Sequence, residues 1–305
     1  MCFLKDILAP NVLGSNRVDY RVMDLSLYRN EMEEYFEFLK KRTRDRAILD
    51  IEEEDCSKRV YPECSLEGAK ALIVFFVPYF DSNLIFDGNN ISIHAQAKDY
   101  HHVVKTVLSR AKDELGKHYP NEEFICQCDT GPLCERFFAI HSGLCLEGDN
   151  GMAIHETYGS YGFLGLIVTT AKFEATKSFR RYCISCGRCK KSCPGSVLGS
   201  DNRIYHTCIS WLTQKKSLTP NDEANIKKAA MVYGCDECQK VCPYNWKLCN
   251  TDIDEFKTDF IGVLTSEELQ AFSNRSFRKA YSNRTFAWRG KQVLERNIDI
   301  IKGKK

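Results

Sequence analysis

The sequence predicts two domains of unlike kind: a mixed α/β domain on the N-terminal side and a small cysteine-rich domain after it. Three observations carry this. The chain has 305 residues, enough for about two domains of roughly 150 residues each. Apolar runs with strand and helix periods alternate over the first half of the chain. Past Phe179 the composition changes, and nine of the 16 cysteines fall between Cys183 and Cys249.

In chain order, NEMEEYFEFLKKRTRDRAILD (30–50) has helical spacing, with Tyr35, Phe36, Leu39, Ile48 and Leu49 apolar among charges. GAKALIVFFVPYF (68–80) reads as a buried strand. KDYHHVVKTVLSRAKDELGKHYP (98–120) is amphipathic, with Val103, Val107, Leu108 and Leu115 on or near one face. EEFICQCDT (122–130) is a short strand that runs into a Thr-Gly-Pro turn. LCERFFAIHSGL (133–144) returns to helical period, with Thr130 suited to cap it and Pro132 to its first turn. GSYGFLGLIVTTAKF (159–173) is a glycine-punctuated strand. In the cysteine-rich part, DNRIYHTCISWLTQKKS and NDEANIKKAAMVYG are helical interludes. After Trp246 the chain is polar and helical, and TSEELQAF (265–272) has the form of a capping box. The expected boundaries are 1–172, 173–250 and 251–305, the last a basic helical tail.

The formal charge of +2 argues against a generic polyanion binder. Its distribution is uneven: from Asn274 to Lys305 there are ten Lys or Arg against two Asp or Glu. That basic stretch reads as a phosphate-contacting element or as a solvated end. The N-terminal residues lack a signal-peptide core, and the longest apolar run, 71–80, is too short to span a bilayer. A chain of this length with 16 cysteines does not fit a small secreted disulfide scaffold, so metal ligation in the reducing cytoplasm is expected.

The cysteine motifs specify the metal. Cys183, Cys186, Cys189 and Cys193 follow the spacing x2-x2-x3, and Pro194 comes next. This is the ferredoxin-type run of a [4Fe–4S] cluster, in which the fourth cysteine serves the other cluster. The second motif, Cys235-x2-Cys238-x3-Cys242-Pro243, lacks one close ligand, and Cys208 between the motifs is the candidate to supply it. The expected sets are Cys183, Cys186, Cys189 and Cys242 for one cluster, and Cys193, Cys208, Cys235 and Cys238 for the other. Structural zinc is the competing reading, but zinc requires neither the x2-x2-x3-Pro run nor an exchanged ligand. Cys249 is left over as a bystander. Cys126, Cys128, Cys134 and Cys145 lack a standard metal spacing and read as small buried hydrophobes. Two adjacent clusters form an electron wire, and the N-terminal domain must hold its terminus, since no GxGxxG loop is present.

The chain also resembles a known family, the epoxyqueuosine reductases, over roughly 55–297. The likeness rests on KRVYPECSLEGAKALIVFFVPY, AKDYHHVVKTVL, CDTGPLCERFFAIHSGL, GSYGFLGLIVTT, GCDECQKVCPYN and FAWRGKQVLERN, in that order. The resemblance implies a cobalamin-binding α/β domain, like that of reductive dehalogenases, followed by a ferredoxin-like double [4Fe–4S] domain. It implies base-off cobalamin, reduced by the clusters, and an epoxide oxygen removed from the wobble base of a tRNA anticodon loop. Asp129, in CDTGP, matches the carboxylic acid that protonates the departing oxygen; taken alone, it reads equally as a turn residue. Asp99, Tyr100, His101, Gly159 and Ser160 are the implied cofactor-pocket residues. A low-potential donor such as flavodoxin or ferredoxin, a monomer and no membrane complete the expectation. The stretch GLCLEGDNGMAIHETYG departs from the family pattern, with Asp149 near the place of its usual lysine. This sequence does not include the helical-repeat extension that many members carry, and the basic C-terminal stretch is expected to take over part of its phosphate-contacting surface. The rival readings are a corrinoid reductase of another small molecule, and a non-catalytic electron carrier or corrinoid reactivase.

Overall fold

The structure, a computed structural model, describes residues 4–44, 55–177, 179–199 and 205–303. Ile48 and Leu49 lie outside the described residues. The chain forms two compact units: 1–80, 101–185 and 247–253 make the first, and 81–100, 186–246 and 254–305 the second. The boundaries read from sequence at 172 and 250 are thus redrawn, because each unit draws on three separate stretches.

The first unit is built on a four-stranded antiparallel sheet in the order β1-β2-β6-β3. Its strands are β1 (Asp19–Asp24), β2 (Ala71–Pro78), β3 (Phe124–Gln127) and β6 (Gly162–Thr169). Every residue of β2 is buried, as its unbroken apolar run requires of a strand covered on both faces. On one face Leu72, Val74, Phe76, Leu166 and Val168 share a core with Met32, Leu39, Phe137 and Phe138. These come from the helices Arg29–Arg44 and Glu135–His141. On the other, Gly165 lies opposite Phe75. A Cβ there would sit 3.0 Å from Val104 and from Leu108 of the helix Tyr100–His118. The glycine thus lets that helix approach closely.

The stretch that departs from the family pattern is a second, two-stranded sheet of β4 (Cys145–Glu147) and β5 (Ala153–His155), with Leu146 opposite Ile154. Sequence reading had no strand here, since three-residue strands carry too little periodicity.

In the second unit, Ile91, Val232, Tyr233, Leu264, Leu269, Phe277, Phe286, Leu294 and Ile298 make one core. The C-terminal stretch is helical as expected, over Asn274–Ala280 and Lys291–Lys302. It is a structural half of this unit rather than a tail, because its apolar residues pack on those just before Cys235. The expected capping box holds: Thr265 caps Ser266–Gln270, with Glu268 returning the hydrogen bond. A second box, Thr219 with Asp222, starts the helix Pro220–Ala229. Asn297, fully buried, donates to the carbonyls of Thr213 and Val232, 2.8 Å each. No described helix is long and apolar enough to cross a membrane.

Candidate functional site

The first site is the loop after β3. Asp129 has φ +57°, a left-handed conformation that an aspartate tolerates at some cost. Gln127 anchors the loop: its Oε1 accepts from the Leu133 N–H at 3.1 Å, and its amide nitrogen donates to Ser65 at 3.2 Å. A Cβ on Gly131 would lie 2.4 Å from that same Oε1, so the turn needs glycine. The Asp129 N–H donates to Glu135 Oε1 at 2.6 Å. Held in this way, Asp129 keeps its side chain 55% exposed, with Oδ2 3.0 Å from His101 Nε2. The helix begins at Glu135 with Cys134 at its N-cap position. The sequence expectation of Thr130 as cap and Pro132 in the first turn is corrected, because 128–133 are taken up by the anchored loop.

Sequence reading missed Glu135. Burial pushes its carboxyl up to about 8, and Asp129 adds to the effect against the opposing Asp129 N–H and Arg59. A carboxyl raised from its ordinary 4.5 opposes folding once the unfolded chain would ionise. The loss therefore grows from about pH 4.5 to about pH 8. Glu135→Gln keeps the acceptor for Asp129 and removes the titration. The variant should gain thermal stability over the wild type as pH rises from 5 to 8. A constant offset across that range would contradict the burial argument.

Of the other pocket candidates, Asp99 donates its N–H to the Asn283 carbonyl at 2.8 Å and accepts from Thr285 at 3.5 Å. Asp99 and Tyr100 belong to the second unit, whereas His101, Gly159 and Ser160 belong to the first. Gly159, at φ +58°, closes a tight turn with His155 through two backbone bonds of 2.7 and 2.9 Å. Ser160 is buried.

The second site is made of cysteines. Cys193, Cys208, Cys235 and Cys238 line a cavity of about 60 Å³ together with Pro194, Val197, Leu198 and Ile209. This is the set that spacing assigned to one cluster. Burial pushes the thiols of Cys208, Cys235 and Cys238 up, Cys235 to about 12. Four thiolates in so apolar a cavity require a cationic metal centre to offset their charge. Among the described residues, no three His, Cys, Asp or Glu converge on a single ion. Four cysteines can hold either a [4Fe–4S] cluster or a structural zinc ion, and it is the x2-x2-x3-Pro spacing of the first motif that favours the cluster.

Two glycines bring these cysteines together. A Cβ on Gly195 would lie 2.0 Å from the Thr207 carbonyl oxygen, and Thr207 Oγ1 donates to the Gly195 carbonyl at 2.8 Å. That close approach sets Cys208 beside Cys193. Gly195→Ala should therefore lower iron content and bleach part of the cluster absorption, and an iron content equal to wild type would contradict this. Gly234, at φ +74°, passes Ser92, whose Cβ would be 2.4 Å from an added Cβ. Asp236, 1% exposed, accepts from Ser92 Oγ at 2.5 Å and from the Ile93 N–H at 3.0 Å. It thereby fixes the second motif against the segment 92–93.

Cys183 lies in the first unit, and Cys186, Cys189 and Cys242 lie in the second. Ser185 and Gly187 both take positive φ, which winds the chain between the closely spaced thiols. The Cys183 N–H donates to the Glu147 carbonyl at 3.0 Å, and the Asp149 N–H donates to Cys183 Sγ at 3.3 Å. The departing stretch thus supplies an amide to a cluster-motif sulfur, an arrangement that tunes cluster potential. Cys128 and Cys145 are buried, and Cys134 Sγ is 3.0 Å from the Tyr35 hydroxyl.

Comparisons with known proteins agree on one family. A model described as "4Fe-4S double cluster binding domain" matches 182–245. One described as "Epoxyqueuosine reductase QueG, DUF1730" matches 59–130. The epoxyqueuosine reductase of Lactococcus garvieae (strain Lg2) is 32% identical over 258 residues, covering 81% of this chain and 73% of the relative. That of Bacillus subtilis (strain 168) is 32% identical over 271 residues, covering 83% and 70%. A solved epoxyqueuosine reductase with an epoxyqueuosine-modified tRNA-Tyr stem loop has a TM-score of 0.82 at 28% identity, covering 98% of this chain and 80% of that one. A Bacillus subtilis structure, with its catalytic aspartate loop swung out of the active site, matches at 0.82 and 26% over the same shares. The double-cluster domain, the reductase domain and the relatives together show that this chain belongs to the epoxyqueuosine reductase family.

Proposed function

We propose that this protein reduces epoxyqueuosine to queuosine at the wobble position of a tRNA anticodon loop, using two [4Fe–4S] clusters and cobalamin. The observation that carries the reading is the presentation of Asp129. Its carboxylate is held out on a left-handed backbone beside His101, on a loop anchored from both ends.

The reaction breaks both carbon–oxygen bonds of the epoxide, leaves an alkene and releases the oxygen as water. It consumes two electrons and two protons. Each cluster moves one electron at a time, so both electrons pass through the cysteine-rich unit in single steps. The proposed ligands are Cys183, Cys186, Cys189 and Cys242 for one cluster, and Cys193, Cys208, Cys235 and Cys238 for the other. Cobalamin, when bound, supplies a strongly nucleophilic reduced cobalt. The Asp129 side chain is 55% exposed and that of His101 22%, so the pair can be reached by a bound cofactor and a base. Asp99, Tyr100, Gly159 and Ser160 are the residues proposed to border it. Asp129 donates a proton to the departing oxygen, and His101 Nε2, at 3.0 Å, holds the carboxyl in place and can resupply that proton.

The same reading puts the protein in the cytoplasm, as a monomer, with flavodoxin or ferredoxin as electron donor. It is tested by expressing the chain in a bacterium that accumulates epoxyqueuosine and analysing its tRNA nucleosides. Queuosine that appears only when cobalamin is supplied supports the reading. Persistent epoxyqueuosine with cobalamin present would refute it.

A further inference from the structure

Trp288 is 58% exposed, yet its ring is pinned. Its Nε1 donates to Gln214 Oε1 at 2.9 Å, and the Gln214 amide nitrogen donates to the Ser210 carbonyl at 2.8 Å. The Arg289 guanidinium carbon lies 3.8 Å from the Trp288 ring centroid. Arg289 Nε is buried and has no hydrogen-bond partner. Arg296 Nη1 donates to the carbonyls of Lys215 at 2.7 Å and Lys216 at 2.9 Å, which fixes that turn. Lys215 is occupied by Asp222 at 2.7 Å, whereas Lys216 is exposed. Among the described residues, neither Lys216 nor Arg289 has a carboxylate within ion-pair distance.

A rigid aromatic face, a planar cation stacked on it and a lysine beside a fixed turn are the parts of a single-stranded nucleic-acid contact. Unpaired bases stack on aromatic rings and on guanidinium planes, and cations without internal partners take the phosphates. We propose that Trp288, Arg289 and Lys216 grip an unpaired nucleotide of the substrate RNA. The base stacks on the Trp288–Arg289 pair, and the adjoining phosphates sit at Arg289 and Lys216. This rests on the tRNA reading above and adds where the second unit holds the RNA. A docking surface for an acidic electron-donor protein would use the same cations but gain little from the pinned ring, so RNA is favoured.

The test uses cluster-loaded full-length protein and a fluorescent anticodon stem-loop RNA, with affinity read by anisotropy over a range of salt concentrations. Trp288→Ala should weaken binding by about 5- to 150-fold, while Trp288→Phe, which keeps a stacking ring, should restore most of it. Arg289→Gln should weaken binding and reduce the slope of log affinity against log salt by about one. Iron content should match wild type throughout. Wild-type affinity in Trp288→Ala and Arg289→Gln would overturn the proposal while leaving the substrate reading intact. So would a loss confined to turnover with a protein electron donor and absent with a chemical reductant. Failure of the wild type itself to bind the RNA would overturn both.

Discussion

Cys208→Ala is expected to lose one whole cluster and to stop turnover. Cys208 stands alone between the two motifs, yet it lines one cavity with Cys193, Cys235 and Cys238. The contact of Gly195 with the Thr207 carbonyl delivers it there, just ahead of the short helix Ile209–Leu212. Three thiolates cannot close a four-iron cubane with four protein ligands. Iron should therefore fall from about eight to about four atoms per chain, with sulfide falling in step. The remaining cluster should keep its absorption, because its proposed ligands lie elsewhere. With the path broken, neither electron reaches the reaction site. Unchanged iron in this variant would refute the ligand assignment, and preserved activity would refute the need for both clusters.

Asp129→Asn carries the second large effect. Asparagine matches aspartate in shape and also tolerates the left-handed backbone, so the N–H bond to Glu135 and the loop anchored by Gln127 should survive. Only the transferable proton is removed. The expected result is a fall of about 10²- to 10⁴-fold in kcat, with iron content and RNA affinity unchanged. If the variant turns over like the wild type, Asp129 is a turn residue and the proton comes from elsewhere. If it loses RNA affinity or clusters, its role is structural.

The legible part of this protein was the part built from local spacing. The run Cys183–Cys193 and the motif Cys235–Cys242 specify their chemistry within a dozen residues. The cavity gathers the Cys193, Cys208, Cys235 and Cys238 set that counting proposed. Strands β2 and β6 were equally plain, because a strand buried on both faces writes itself as an unbroken apolar run. What could not be read depended on distant partners. The pinning of Asp129 needs Glu135, Gln127 and Ser65, and nothing in CDTGP names them. The interleaving of the two units is invisible to a linear scan. So is the burial of Phe277, Phe286 and Leu294, since the surrounding lysines and arginines made that stretch look like a solvated tail. The β4–β5 hairpin was hidden by its brevity, and with it the amide that Asp149 gives to Cys183.

Anaerobic turnover shows whether one chain joins a two-cluster electron path to an acid-assisted removal of oxygen from an RNA base. Purified, cluster-loaded protein is mixed with epoxyqueuosine-containing tRNA stem-loop, cobalamin and a low-potential reductant, and the nucleosides are analysed by mass. The expected product is lighter by one oxygen and forms only when clusters, cobalamin and reductant are all present. Epoxyqueuosine recovered intact from the complete mixture would contradict it.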